Sequence, residues 1–208
     1  MSLPLVHPSE SLLEEVRAHR RADHPVSPLI LNRWSSRSFA AREVSDDTLH
    51  TVLEAARWAP SSSNLQPWRF VVARTQKDRE RFHSFIRPSN RLWIEQAPVL
   101  ILFASHKHNA NGEPNGAHAF DAGTAWGILS LQAVLLGLST RAVGGFDREA
   151  ARRTLHVPDD IELHAVIALG YRGEKDTLHE TFRDKEVPNG RRPLQESIVE
   201  GAWPESGG

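Results

Sequence analysis

Cysteine is absent from all 208 residues, which excludes thiolate-ligated zinc, cysteine nucleophiles and a disulfide scaffold. A chain of this length buries about 70% of its unfolded surface without such staples. An excess of charge is also missing: 25 Lys and Arg stand against 26 Asp and Glu, for a net charge of −1. The basic residues are dispersed, so there is no electrostatic footprint for nucleic acid. No apolar run reaches membrane-spanning length. The nearest, Ala122 to Leu138, is interrupted by Gly123, Gly127, Ser130 and Gln132 and suits a buried helix. Met1 to Pro8 lacks a basic stretch followed by an apolar core, so a secretory signal is not expected and the cytoplasm is. A G-x-G-x-x-G after a strand is missing, which argues against a dinucleotide-binding fold of that type. There is no internal repeat and no low-complexity tract beyond the Gly/Ser end at Ser206 to Gly208.

What is present patterns as one domain over residues 1–208. Ser9 is positioned to cap a peripheral helix within residues 1–27, with Leu12, Leu13 and Val16 on one face. Ser45-Asp46-Asp47 opens a second helix whose Leu49, Val52, Leu53 and Ala56 follow at i, i+3, i+4 and i+7. Trp68 to Ala73 patterns as a buried strand, Gln76 to Phe85 as a helix, and Pro98 to Ala104 as a central strand apolar on both faces. His118 to Leu136 is the longest helix, ended by Gly137, and Ala165 to Tyr171 is a further core strand. The helix is apolar nearly all round, so it needs a second burying neighbour: another element of the same chain, or the same helix of a partner copy. From Arg172 onward apolar residues are too sparse for a core.

Three stretches carry candidate chemistry. Ala59 to Val72 joins helix to strand through Ser61, Ser62, Ser63, Asn64 and Gln66, bracketed by Pro60 and Pro67, which restrict the backbone. The stretch suits a planar polar heterocycle, and equally a plain turn of Ser and Asn. Arg33 and Arg37 flank Ser35, so two guanidinium forks and a hydroxyl can converge on a phosphomonoester, or remain two solvated arginines. Gly144-Gly145 in Val143 to Asp147 lets the backbone approach a flat ligand, or serves a tight turn at positive φ. His106, His108 and His118 lie in or beside a loop rich in Asn and Gly. With no fourth ligand or second shell fixed by spacing, no metal is expected.

Taken together, Arg33-Trp34-Ser35-Ser36-Arg37-Ser38-Phe39, the Ala-Pro-Ser-Ser-x-Asn-x-Gln-Pro-Trp loop, the following strand, the long apolar helix, Gly-Gly-Phe and a late basic pair occur in the order found in the nitroreductase family of FMN-dependent oxidoreductases. The resemblance runs from about Leu29 to Ile198. It implies an α+β fold of three α-β-α layers, with a mixed, mainly antiparallel sheet flanked by helices. It also implies a homodimer with FMN at the subunit interface, and a C-terminal extension, residues 172–208, wrapping the partner.

By the same resemblance Arg33, Trp34, Ser35 and Arg37 lie along the phosphate tail, and Arg191 or Arg192 returns to the phosphate. Pro60, Ser61 and Ser62 cover the flavin across the interface, Asn64 and Gln66 match polar positions nearer the ring, Asn90 meets the pyrimidine edge, and the N–H groups of Gly144 and Gly145 face N5 and O4. Where family members carry a lysine near N1 and O2 this chain has Trp93, so Arg91 or a helix N-terminus is expected to supply the positive potential. The implied activity is NADPH or NADH oxidation by a ping-pong hydride transfer through flavin N5 to nitroaromatics, quinones or similar acceptors. No catalytic acid or base is named. The alternatives are a non-catalytic FMN-binding or storage protein, and a dehalogenase-like enzyme on the same fold.

Overall fold

The computed structural model describes residues 8–203. The expectations for Met1 to His7, and for the Gly/Ser end, lie outside that span. The elements are α1 (Glu14–Arg17), α2 (Pro28–Asn32), α3 (Asp46–Arg57), β1 (Trp68–Ala73), α4 (Gln76–His83), α5 (Pro88–Ile94), β2 (Val99–His106), α6 (His118–Leu135), β3 (Leu138–Val143), α7 (Arg148–Leu155), β4 (Ile161–Tyr171) and α8 (Glu180–Arg183). The strands form one sheet in the order β1-β2-β4-β3, and its three pairings are all antiparallel. The expected α+β architecture is therefore present, and no parallel pair occurs among the described residues.

Strand β2 is buried along nearly its whole length because it is central, with neighbours on both edges and helices on both faces. One face of the sheet packs under Phe82, Phe85, Ile94 and Trp93 of the α4–α5 region, joined by Ala151 of α7. The opposite face packs under Leu49, Val52 and Ala56 of α3 and Ala125, Leu129 and Ala133 of α6. The apolar spacing foreseen for α3 is thus its buried face. Ser45 caps it by accepting from the Thr48 N–H, and Thr75 and Asp147 cap α4 and α7 in the same way.

Four sequence expectations need correction. Ser9 caps nothing helical: α1 is only Glu14–Arg17, preceded by Leu13. Nor is the N-terminal segment merely peripheral, since Val16 is fully buried and Asn32 bonds Pro8, Ser11 and Leu13 across it. The Pro88-Ser89-Asn90 stretch suggests a loop after the Gln76 helix, but Asn90 lies in α5, with Pro88 at the helix start where a missing N–H costs nothing. The tail leaves the body later than Arg172. Leu178 is 1% exposed within the first core and Glu186 is 2% exposed, whereas residues 189–203 are exposed throughout.

Helix α6 finds its burying neighbours within the chain in the sheet and in α3, with α2 beside it, yet among the described residues part of its surface stays open. Phe120 stays 80% exposed and Gly123, one turn on, is exposed as well. Among the described residues no helix is long and apolar enough to cross a membrane.

Candidate cofactor site

The segment 33–38 has the alternating burial of an extended strand. Asn32, Trp34, Ser36 and Ser38 face inward, while Arg33, Ser35 and Arg37 are only half-buried and share the other face. Arg33 Nη1 donates to Ser35 Oγ at 3.4 Å. Arg33 and Ser35 thus meet on that side, while the Arg37 fork lies 4.0 Å from Glu186 Oε2 and 5.3 Å from the Phe182 ring centroid. Trp34 is not with them: its ring is 7% exposed, its Nε1 donates to Glu15 Oε1 at 3.2 Å, and Arg172 lies over it at 4.7 Å. Alternation sends a side chain between two outward residues to the opposite face.

Further arginines gather here that the sequence pattern did not single out. Arg141, on β3, donates to the Ser35 carbonyl and lies 5.4 Å from the Trp93 ring centroid. Burial, with the repulsion of Arg37 behind it, brings its pKa down to about 10, so it remains charged at neutral pH. Arg20 donates to the carbonyls of Leu31 and Arg33, both at 2.7 Å, and of Asn189 at 2.9 Å. Arg191 is close enough to Arg33 and Arg20 to depress both their pKa values, after burial as the first cause. Arg192 is 81% exposed and lies 3.8 Å from Glu196. The tail thus returns Arg191 to Arg33.

Trp93 is core, 1% exposed and stacked on Phe39. Of the two expected sources of positive charge beside it, Arg91 is half-exposed and paired with Glu95 at 2.7 Å. The guanidinium over Trp93 belongs to Arg141. A lone arginine in Leu138-Ser139-Thr140-Arg141-Ala142-Val143 was the available signal.

Asn90 and Gly145 come together: Asn90 Nδ2 donates to the Gly145 carbonyl at 3.3 Å, and the Arg87 N–H donates to the same oxygen at 3.1 Å. A Cβ on Gly145 would sit 2.5 Å from Asn90 Nδ2. What a side chain there would meet is the end of the Asn90 amide, which would have to move aside; positive φ occurs at neither Gly144 nor Gly145. A Cβ on Gly144 would meet nothing within 4 Å, so that side of the turn is open.

The Pro60 loop is exposed over most of its length. Ser63, Asn64 and Gln66 have φ of 49°, 55° and 47°, left-handed backbone that costs roughly 1–3 kcal/mol per residue unless the surroundings impose it. Bonds from the Gln66 N–H to Ser61 Oγ and from Gln66 Nε2 to the Asn64 carbonyl, at 3.0 and 2.8 Å, impose part of it. The Ser62 N–H is fastened to Asp121 Oδ2 of α6 at 3.1 Å. Pro60, Ser61, Ser62 and Asn64 are thus presented at the open start of α6, beside Phe120.

His118 is the first residue of α6. Ser105 Oγ lies 2.8 Å from His118 Nδ1 and 2.7 Å from His164 Nε2; with one hydroxyl proton, it donates to one ring and accepts from the other. His106 is turned elsewhere, 3.2 Å from Asp160.

Comparison with known proteins identifies the family. The sequence model of the nitroreductase family matches residues 30–91 and 83–171. A protein provisionally named NADH dehydrogenase/NAD(P)H nitroreductase from Archaeoglobus fulgidus is 30% identical over 153 residues, 71% of this chain and 86% of that one. The NADH dehydrogenase of Thermus thermophilus is 28% identical over 201 residues, covering 81% and 92%. A crystal structure of an oxidoreductase containing FMN superposes with a TM-score of 0.84 at 37% identity, covering 90% of this chain and 97% of that one. With the matched span including the arginine segment, the Pro60 loop, Asn90 and the Gly144-Gly145 turn, the chain belongs to the nitroreductase family.

Proposed function

We propose that this protein is an FMN-dependent NAD(P)H oxidoreductase. The observation that carries the reading is the contact of Arg33 with Ser35 in a segment whose Arg37 is likewise half-buried, with Arg141 bonded to the Ser35 carbonyl and Arg191 near Arg33. Guanidinium forks of this kind match a phosphomonoester. The residues present fit FMN: this face would hold the phosphate, Asn90 and the open backbone at Gly144-Gly145 would meet the edge of the ring, and Arg141 would supply the positive potential that Arg91 does not. When bound, the flavin supplies the hydride chemistry between nicotinamide and acceptor. The protein's part is to bind, orient and set the electrostatic environment. The FMN-containing relative and a provisionally named nitroreductase in complex with FMN from Desulfovibrio desulfuricans, TM-score 0.66 at 26% identity, support the cofactor. The Major NAD(P)H-flavin oxidoreductase of Aliivibrio fischeri, 35% identical over 86 residues, supports the electron donor.

The functional unit in this reading is a homodimer. The exposed Phe120 and Gly123 of α6, the exposed Pro60 loop, and the exposed Leu194, Ile198, Val199 and Trp203 of the tail supply apolar surface for a partner copy. Pro60, Ser61, Ser62 and Asn64 then act on the flavin held mainly by the other subunit. Nitroaromatics and quinones are the proposed acceptors.

The test is the visible spectrum of the purified protein before and after anaerobic NADPH or NADH, beside an Arg33→Ala/Arg191→Ala double variant. Flavin bands that bleach with nicotinamide, and that are lost in the variant, are expected. Bands that persist would move the assignment to flavin storage, and a colourless protein that takes up no added FMN would overturn it.

A further inference from the structure

The inward side of the arginine segment is held by a carboxylate from the far end of the chain. Glu186 Oε1 accepts from Ser36 Oγ at 2.6 Å and from the consecutive N–H groups of Arg37 and Ser38 at 2.7 and 2.9 Å. Ser38 Oγ, 3.0 Å away, shares its proton between this oxygen and the Gly173 carbonyl at 2.9 Å. Two consecutive amides and a hydroxyl thus donate to one carboxylate oxygen, charge-assisted bonds of the stronger kind. The Glu186 side chain is 0% exposed, and its other oxygen is buried without a hydrogen-bond partner, 4.0 Å from Arg37 Nη1.

Three residues further on, the Asn189 carbonyl receives Arg20, which also holds the Leu31 and Arg33 carbonyls. The tail is therefore pinned behind both ends of the segment 33–38. Between those pins the alternation of the extended backbone turns Arg33, Ser35 and Arg37 outward, and just beyond them Arg191 comes up beside Arg33.

We infer that Glu186, seconded by Arg20, is a positioning residue that assembles the phosphate-binding face, so that recognition of the cofactor's phosphate depends on the docked tail. The inference rests on the FMN reading and adds a coupling between residues 186–191 and the anion site. Glu186 does not touch the ligand. It fixes the backbone from which Ser35 and Arg37 project, and its second oxygen restrains the Arg37 fork from behind. By reciprocity, a phosphate bound on the outer face must hold the tail down.

The experiment compares FMN with riboflavin, which lacks the phosphate, by fluorescence titration of the flavin-free protein, in wild type, Glu186→Ala, Glu186→Gln and Arg20→Met. Wild type is expected to prefer FMN. Glu186→Ala should lower the FMN-to-riboflavin affinity ratio about tenfold or more, the worth of one charge-assisted hydrogen bond, with riboflavin affinity unchanged. Glu186→Gln, whose amide oxygen still accepts from the Arg37 and Ser38 N–H groups, should recover most of the ratio, and Arg20→Met should lower it.

Limited trypsin digestion gives a second readout, since FMN but not riboflavin should slow cleavage after Arg191 in wild type and fail to do so in Glu186→Ala. Equal loss of both flavins would mean a purely structural role, and an unchanged ratio would mean no role; either overturns the inference. If Glu186→Ala does not fold, Arg20→Met and the wild-type digestion decide. A wild type indifferent between FMN and riboflavin overturns the phosphate reading itself, an outcome distinct from a wild type that prefers FMN while the variants keep that preference.

Discussion

Gly145 shows how one hydrogen atom decides a site. The carbonyl of Gly145 is shared by Asn90 Nδ2 and the Arg87 N–H, and the space a methyl group would take is occupied by the Asn90 amide. Gly145→Ala should therefore displace Asn90 and cost about 1–3 kcal/mol by overpacking, read as a lower urea midpoint together with weaker FMN binding. Gly144→Ala, with nothing to strike, should leave the midpoint near wild type. Two histidines carry a pH signal at the same scale. Burial is the first cause lowering the pKa of both His83 and His164, so the folded state holds them neutral where the unfolded chain has begun to bind protons. Their contribution to stability is intact above the unfolded value of 6.5 and is lost as pH falls from there towards the lowered folded values. Urea midpoints at pH 7.5 and 5.5 should differ in wild type, and a His83→Gln/His164→Gln variant should flatten the difference.

At the scale of elements, α6 has more apolar surface than its own chain covers. Its inward residues Ala125, Leu129 and Ala133 are fully buried, while Phe120 is 80% exposed and a Cβ on Gly123 or Gly127 would meet nothing within 4 Å. Small residues on an open helix face admit close approach of a second helix. Gly127→Leu should leave the monomer's fold and far-ultraviolet spectrum intact and lower the dimer population, as measured by light scattering after size exclusion. An unchanged mass would remove α6 from the interface. The Pro60 loop is fastened to the same helix through Asp121, so Asp121→Asn, which keeps an oxygen acceptor but no charge, should weaken FMN binding less than Asp121→Ala.

Over the whole molecule, the chain divides at about Pro188 into a packed body and an exposed arm. Leu178 and Glu186 belong to the body by burial, and nothing from residue 189 to 203 is buried. A chain stopped after Pro188 should stay folded, with a thermal midpoint within a few degrees of wild type, and lose dimerisation and FMN retention. One stopped after Thr177 loses the fully buried Leu178, a deletion of the kind that costs about 2–5 kcal/mol, as well as the Glu186 clasp. It should unfold well below wild type or not accumulate.

Much of this was legible along the chain, because local rules carry it. The spacing of Leu49, Val52 and Ala56, the cap at Ser45, the unbroken apolar run of β2 and the length of α6 follow from periodicity and capping, which depend on near neighbours alone. The grouping of Arg33, Ser35 and Arg37 follows from the period of two of an extended segment, and the same period removes Trp34 from their face. Missed were Arg141, Arg20 and Glu186. Each reaches the site from another element, Glu186 across about 150 residues of sequence, and a single polar residue in a strand or a polar tail carries no period to announce it.

The sequence by itself determined α3, α4, α6, β1, β2 and most of β4, since these are set by side-chain alternation and hydrophobic spacing. Tertiary structure alone decided which arginines join Arg33 and Ser35, that Arg141 rather than Arg91 stands over Trp93, and that the tail closes the site from behind. Those contacts are made where distant backbone carbonyls and one buried carboxylate have to find donors, and only the folded chain brings such partners within hydrogen-bond reach.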